Sequence, residues 1–144
     1  MSLLALLNVK NLQAKSSALR IVNSNLNFAV ELMSREIRTG KDYCSCASLD
    51  IFQFTNSDGA QVTYRYRSAG QKITRQMSGG TELDITSPQV QVLNVRFFKR
   101  GQASGDQQQP RVTIIINAIT SGGKAELRAK MNVQTTISQR EVVS

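Results

Sequence analysis

A long stretch with helical periodicity opens the sequence and restricts what the chain can fold into. From about Leu3 to Thr39, apolar residues recur at steps of three and four, which places them on one stripe of a 3.6-residue helix. The stripe residues predicted to pack against a sheet are Leu19, Val22, Leu26, Val30, Met33 and Ile37. The polar run NLQAKSS, residues 11–17, is expected to face water. One long helix therefore precedes everything else.

Several signals agree on where this helix ends. Glu31 and Arg35 are four residues apart in the favourable order, so they support the last turns. Arg35, Arg38 and Lys41 gather where the helix dipole is negative. Gly40 is the expected C-cap, which predicts a helix end within two residues of Thr39.

The rest of the chain has the pattern of an antiparallel meander. Short β segments alternate with turn residues, and NSDG predicts a hairpin turn between the first two. The nearly continuous apolar segment 111–119 predicts a central strand buried on both faces. The last segment alternates apolar and polar residues strictly. The predicted segments are 49–54, 62–67, 72–77, 82–86, 90–98, 111–119 and 126–140.

These elements predict one domain with an α+β fold. The 144 residues are enough for a single core and too few for two typical domains. We expect a long N-terminal helix, at about 3–39, packed on one antiparallel sheet of six or seven strands. The β-rich head spans about 49–140.

The composition argues against an enzyme. The chain has no His, so the usual general base near neutral pH and the commonest transition-metal ligand are both missing. The acidic residues are scattered, and the glycine-containing turns lack the spacing of phosphate-binding loops. We therefore predict no catalytic residue, no cofactor and no metal site. No run of 18 apolar residues predicts a membrane span either.

The two cysteines, Cys44 and Cys46, are separated by one residue. A disulfide between them would close a small, strained ring, so free thiols and a local bridge are both open. Without His partners two cysteines do not complete a four-ligand zinc site, and C-x-C is not the C-x-x-C of thioredoxin-like centres.

A net charge of +8 directs attention to acidic partners, nucleic acid among them. In the segment 64–75, bases and tyrosines alternate without an acid, a combination that can hold a phosphate backbone while a ring stacks on a base. The alternative is that Tyr64 and Tyr66 belong to the core while the arginines between them are solvated. The candidate nucleic-acid contacts are Arg65, Arg67, Lys72, Arg75, Lys99 and Arg100.

Taken in order, several segments resemble the extracytoplasmic part of type IV pilin-like proteins, specifically minor pilins and pseudopilins. The helix end NFAVELMSREIRTG is similar to the family's x-x-[ML]-x-R-[DE]-I-R run, and VTYRYR, KITRQM, VQVLNVRFF, PRVTIII and VQTTISQR follow in the family's order. The resemblance covers nearly the whole chain from about residue 20.

This resemblance implies a helix whose first half lies in a membrane and later in a filament core. The family's leader, cleavage-site glycine, early glutamate and apolar segment are not in this sequence, which implies a truncated, soluble part of a longer protein. The implied partners are other pilin or pseudopilin subunits, the inner-membrane assembly machinery and the membrane itself. The implied location is extracytoplasmic, in the periplasm or at the cell surface.

The sequence thus supports two hypotheses of different classes. The first is a structural or assembly subunit, a minor pilin or pseudopilin, of a type IV pilus or a type II secretion-like filament. The second is a nucleic-acid-binding, DNA-uptake pilin-like module, for which DNA is the partner.

Overall fold

The computed structural model of the protein describes residues 3–44, 48–100, 110–120 and 128–139, with helix side chains described at Gln13 and from Lys15 onward. Within these residues the chain forms one helix, α1 (Leu3–Arg38), followed by seven strands. The strands are β1 (Ile51–Thr55), β2 (Gln61–Arg67), β3 (Lys72–Met77), β4 (Leu83–Asp84), β5 (Val90–Arg100), β6 (Arg111–Thr120) and β7 (Lys130–Ser138).

The described strands form two antiparallel sheets, whereas the sequence predicted one. Strands β1 to β4 follow one another in a four-stranded sheet, and β5, β6 and β7 form a three-stranded sheet. The described chain is therefore mostly β. The predicted α+β class, a long helix packed on a single antiparallel sheet, is wrong.

The division between the sheets follows from the short β4. Only Leu83 and Asp84 belong to it, so β4 offers almost no edge on which another strand can pair. Strand β5 is eleven residues long and pairs with β6 from Val90 to Arg100. Side-chain alternation records which face of a strand is buried, but not which neighbour receives its hydrogen bonds. The pattern of segments was therefore compatible with one sheet or two.

A β-bulge in β5 connects the two sheets. The register with β6 shifts between Val92 and Asn94, so Leu93 is the extra residue. The Tyr66 hydroxyl of β2 lies 2.8 Å from the carbonyl oxygen of Val92 and 2.9 Å from that of Leu93. A bulge leaves its extra residue unpaired in the ladder. Here a tyrosine of the four-stranded sheet hydrogen-bonds to the backbone at that point of the three-stranded sheet.

One buried cluster joins the helix and both sheets. Phe52 of β1 stacks on Phe97 of β5, with ring centroids 5.7 Å apart. Helix α1 contacts β5, β6 and β7. Its fully buried residues are Val22, Leu26, Ala29, Met33 and Ile37. The core therefore has contributions from all three layers, and burial of its apolar side chains is the main stabilising term.

The burial pattern predicted for β7 is confirmed, whereas that predicted for β6 is not. Strand β6 is central in its sheet, but only one of its faces is fully buried, and Ile115 and Ile119 on the other face are half-buried. The expectation of burial on both faces is therefore wrong. In β7 the predicted alternation is confirmed, because Met131, Val133 and Ile137 lie inward between exposed neighbours.

Gly40 follows the helix for a reason different from the predicted cap. Its N–H donates to the carbonyl oxygen of Ile37 at 3.1 Å, but it does not adopt positive φ. Instead, a Cβ at this position would lie 2.5 Å from Cδ2 of Phe54 and 2.8 Å from the carbonyl oxygen of Thr55. The next residue, Lys41, pairs with Thr55 in a β-bridge. Gly40 therefore lets the chain leave the helix directly against β1.

We predict that Gly40→Ala destabilises the protein by about 1–3 kcal/mol, the usual cost of overpacking a well-packed site. The reason is that the buried Phe54 ring and the Thr55 backbone cannot both move away from the new methyl group. Urea unfolding measures the change.

Gly70→Ala is the matched control. A Cβ there would approach Cε of Lys72 at 3.0 Å, and the end of a lysine side chain moves at little cost. Equal stability losses in the two variants would contradict the close-approach explanation.

Candidate interaction surfaces

The basic hairpin singled out in the sequence is largely neutralised by acids of the same sheet. Arg67 donates from Nε and from a terminal nitrogen to the two carboxylate oxygens of Glu82, each at 2.7 Å. Arg65 lies 3.8 Å from the same carboxylate, and Lys72 pairs with Asp84 at 3.0 Å. Hydrogen bonds from Arg67 and from Thr74 lower the pKa of Glu82 to about 2. These bases are therefore engaged within the protein.

The fourth base of the hairpin, Arg75, binds the helix. Its Nε donates to Oε1 of Glu36 at 2.8 Å, and a terminal nitrogen donates to Oε2 at 2.5 Å. The Tyr64 hydroxyl donates to the same Oε1 at 2.5 Å. A bidentate arginine with a third donor is a strong arrangement for a carboxylate. Glu36 thus ties the last turn of α1 to β2 and β3.

The pKa values of this cluster show how Glu36 is stabilised. Burial alone would raise the pKa of Glu36, but hydrogen bonds from Arg75 and Tyr64, with the charge of Arg75, outweigh it and lower the pKa below 4.5. Burial, and then the neighbouring carboxylate, raise the pKa of Tyr64. The hydrogen bonds to Glu36 raise the pKa of Arg75. The carboxylate is therefore charged and the tyrosine neutral at pH 7.

The two tyrosines of the hairpin pack in or against the core, which is the second of the two interpretations that the sequence allowed. Tyr64 is fully buried, and Tyr66 is half-buried with its hydroxyl on the bulge of β5. The Tyr64 ring is therefore not available to stack on a base, and the Tyr66 ring packs partly against the core. The structure thus pairs the cations of the hairpin with acids and places its tyrosines in or against the core.

Most of the helix residues predicted to pack against a sheet are buried. Four of its six members, Val22, Leu26, Met33 and Ile37, are fully buried, and Val30 is half-buried against the core. Leu19 is 48% exposed, so its assignment to the packed stripe is corrected. The physical reason is that Ala18, one helical turn before Val22, and Ile21 are the residues that pack against the core in this turn, so Leu19 lies at one side of the packed stripe.

Lys99 and Arg100 lie at the end of β5, in the other sheet from the hairpin. Lys99 is half-buried, and burial lowers its pKa. Arg100 is exposed and lies directly opposite Arg111 of β6. The structure therefore does not bring the six predicted nucleic-acid contacts together on one surface.

Cys44 is disulfide-bonded. Its Sγ also accepts a hydrogen bond from the Gln53 N–H of β1 at 3.2 Å. The predicted partner, Cys46, lies outside the described residues.

Among the residues that the structure describes, no three His, Cys, Asp or Glu side chains come close enough together to bind a metal ion. The same residues include no helix whose length and hydropathy would let it span a bilayer.

The outward side of the three-stranded sheet, which we call the open face, is a surface of which the sequence-based candidates include only Arg100. Its side chains alternate with the buried ones, and along β5 Arg96, Phe98 and Arg100 are exposed. In register beside them lie Ile115, Thr113 and Arg111 of β6. Thr113 and Thr136 of β7 share a hydrogen bond at 2.9 Å. The signal was present in the sequence, because β5 to β7 contain no Asp or Glu.

Sequence reasoning also missed the two acids that organise the four-stranded sheet. Glu36 lies 39 residues from Arg75, and Glu82 lies 15 residues from Arg67. Helical spacing does place Glu36 between the buried Met33 and Ile37, where a carboxylate needs a partner. The position of Glu36 was therefore a usable signal, whereas its partner was not predictable from spacing.

Comparisons of the chain with protein-family models, with curated proteins and with solved structures gave no match.

We predict that Glu36→Gln destabilises the protein by about 2 kcal/mol, since hydrogen bonds to charged groups contribute about 1.5–3 kcal/mol. The substitution leaves Arg75, whose side chain is only 20% exposed, without its counter-charge. Chemical unfolding at pH 7 measures the loss.

Glu31→Gln is the matched control for that substitution. Glu31 also pairs with an arginine, Arg35, at 2.6 Å, but both side chains are exposed. We expect a change of about 0.3–0.5 kcal/mol or less. Losses of the same size in the two variants would contradict the special role of Glu36.

Stability is expected to fall in acid. The pKa of Glu36 and that of Glu82 are both lower in the folded protein than the ordinary 4.5. As pH falls, the two carboxylates take up protons in the unfolded chain before they do so in the folded protein. Their contribution to the free energy of unfolding is therefore fully present above pH 4.5 and is lost as pH falls from about 4.5 towards 2. In Glu36→Gln the fall should be shallower, which unfolding free energies at several pH values would reveal. An unchanged slope would contradict this assignment.

Proposed function

We propose that this protein is a structural subunit of a filament of the type IV pilin-like kind that its sequence resembles. In this proposal α1 joins neighbouring subunits, and the two sheets form a rigid head. The observation that carries the proposal is that the helical stripe of α1 continues through side chains that the protein leaves exposed, Lys15 and Leu19 among them. The proposal does not need a single-sheet head, so the correction of the fold class leaves it in place.

The packed stripe of α1 stops while the helix continues. Lys15 and Leu19 lie seven residues before Val22 and Leu26, and so continue the same stripe towards the N-terminus. Both are exposed, as are Gln13, Ser16 and Ser17. Among the described side chains of α1, the stripe is therefore left uncovered at Lys15 and Leu19.

The N-terminal part of α1 is long enough for contacts between subunits. Residues 3–17 span about 22 Å at 1.5 Å per residue. Their sequence has apolar residues at positions 3, 4, 6, 7, 9 and 12. An apolar stripe on a helix is stable when a partner covers it. A bundle of such helices from several subunits supplies that cover.

The helix is attached to both sheets of the head. The buried stripe of α1 packs with β5, β6 and β7, while Glu36 ties it to Arg75 of β3. A force applied along the helix therefore reaches both sheets. This suits a filament subunit, which works by shape and contacts and needs no catalytic group. The extracytoplasmic location, the membrane anchor and the assembly machinery belong to the same proposal.

We expect photo-crosslinking from the N-terminal part of α1 to capture another subunit. A photoreactive phenylalanine analogue at Gln13 or Ser17, both exposed, should give covalent dimers and larger species in the cells that make the protein. Mass spectrometry should place the second attachment point in α1 of another copy or in a comparable helix of a related subunit.

The control places the same analogue at Asp58, an exposed residue in the turn between β1 and β2. Little cross-linking is expected there. Cross-linking that is absent at Gln13 and Ser17, or equally strong at Asp58, would reject a helix-mediated assembly.

A further inference from the structure

Charge is unevenly distributed between the two sheets. Every acid within the described residues lies on α1, in the segment 42–58 or in the four-stranded sheet and its turns. The strands of the three-stranded sheet carry bases and no Asp or Glu. Their bases are Arg96, Lys99, Arg100, Arg111 and Lys130. Among the described residues, the three-stranded sheet is thus the one whose strands carry bases without acids.

Two arginines of the open face lie directly opposite each other. Arg100 of β5 pairs in register with Arg111 of β6, which puts their Cα atoms about 5 Å apart. Like charges directly opposite destabilise a sheet. Both side chains are exposed, and neither has a carboxylate partner among the described residues. An external anion would relieve this repulsion.

An aromatic ring lies between the cations. Phe98 is 40% exposed on the open face, with Arg96 and Arg100 two residues away on either side. Residues two apart on a strand are separated by about 7 Å. An exposed ring between arginines offers a stacking surface beside charges that can bind a phosphate backbone.

The same face carries a row of amides. Asn94, Asn117 and Asn132 lie side by side across β5, β6 and β7 in register. Each asparagine side chain offers both hydrogen-bond donors and an acceptor. A ligand lying on this face meets cations at one end and neutral amides farther along the strands.

We propose that the open face binds single-stranded nucleic acid. The cations without acids favour a polyanion, and the exposed Phe98 ring favours one that carries flat bases able to stack. A sheet with an exposed aromatic ring is a platform on which unpaired bases lie, whereas the bases of a duplex are stacked on one another. The residues assigned to the contact are Arg96, Phe98, Arg100 and Arg111. This inference is independent of the filament proposal.

Fluorescence anisotropy with a labelled oligothymidine tests the assignment on the full chain. The wild-type protein should bind at low salt, with an affinity that falls as salt is added. The triple variant R96Q/R100Q/R111Q should bind more weakly, and its slope of log affinity against log salt should shrink by about 2, because each phosphate contact contributes about 0.7.

The charge control is R20Q/R38Q/K41Q. These three bases are exposed on α1 and directly after it, so the control has the same net charge as the open-face variant. It should keep the wild-type slope. No binding by the wild type, or an equal loss in both triple variants, would overturn the proposal.

Stacking is tested by Phe98→Leu, with Phe28→Leu as its control. Phe28 is 63% exposed on α1, so it is a phenylalanine of the same type that is more accessible than Phe98. Phe98→Leu should weaken oligothymidine binding roughly tenfold and leave heparin binding unchanged, because heparin has no bases to stack. Circular dichroism should show that both variants are folded.

Two outcomes would assign the face to another ligand and overturn the proposal. An unchanged oligothymidine affinity in Phe98→Leu would indicate a general polyanion surface. Binding of duplex DNA as tightly as the single strand would indicate recognition of phosphates without stacking.

Discussion

The structure depends on the way one carboxylate closes the junction between helix and head. Glu36 lies one residue before the buried Ile37 and accepts hydrogen bonds from Arg75 and Tyr64 of the four-stranded sheet. The apolar stripe around it packs towards the three-stranded sheet. Apolar packing is not directional, whereas a bidentate ion pair fixes both distance and angle. The pair therefore sets the orientation in which the helix meets the two sheets.

This ion pair is one of several that engage the bases of the most basic hairpin of the sequence. Arg65, Arg67, Lys72 and Arg75 are compensated by three acids that lie far away in sequence. The three-stranded sheet has no such acids in its strands. A cluster of bases in a sequence thus predicts a positively charged surface only once the fold shows which acids lie beside it. Here Arg96 and Arg100 of β5 and Arg111 of β6 remain exposed.

Local patterns predicted local structure well, and long-range pairing poorly. The helix of residues 3–38, the hairpin of β1 and β2 and the alternation in β7 follow from periodicity and turn residues. The split into two sheets does not, because a strand's sequence does not specify its neighbour. Glu36 was visible as a carboxylate among buried residues, but its partner on β3 is fixed only by the three-dimensional fold. Gly40 was correctly predicted to follow the helix, but the predicted reason, a C-cap, was wrong. Its actual reason is the close approach of Phe54, which residue spacing does not reveal.

The shortness of β4 has a consequence for how copies of this protein can associate. A two-residue edge strand leaves few backbone N–H and C=O groups free, and short edges are one way in which proteins avoid aggregation through added strands. At the opposite edge of the same sheet, Lys41 and Cys44 donate backbone hydrogen bonds to β1. Both edges of the four-stranded sheet are thus poor sites for the addition of a strand from another molecule. Edges of this kind keep strand addition from competing with the helix-mediated assembly that we propose.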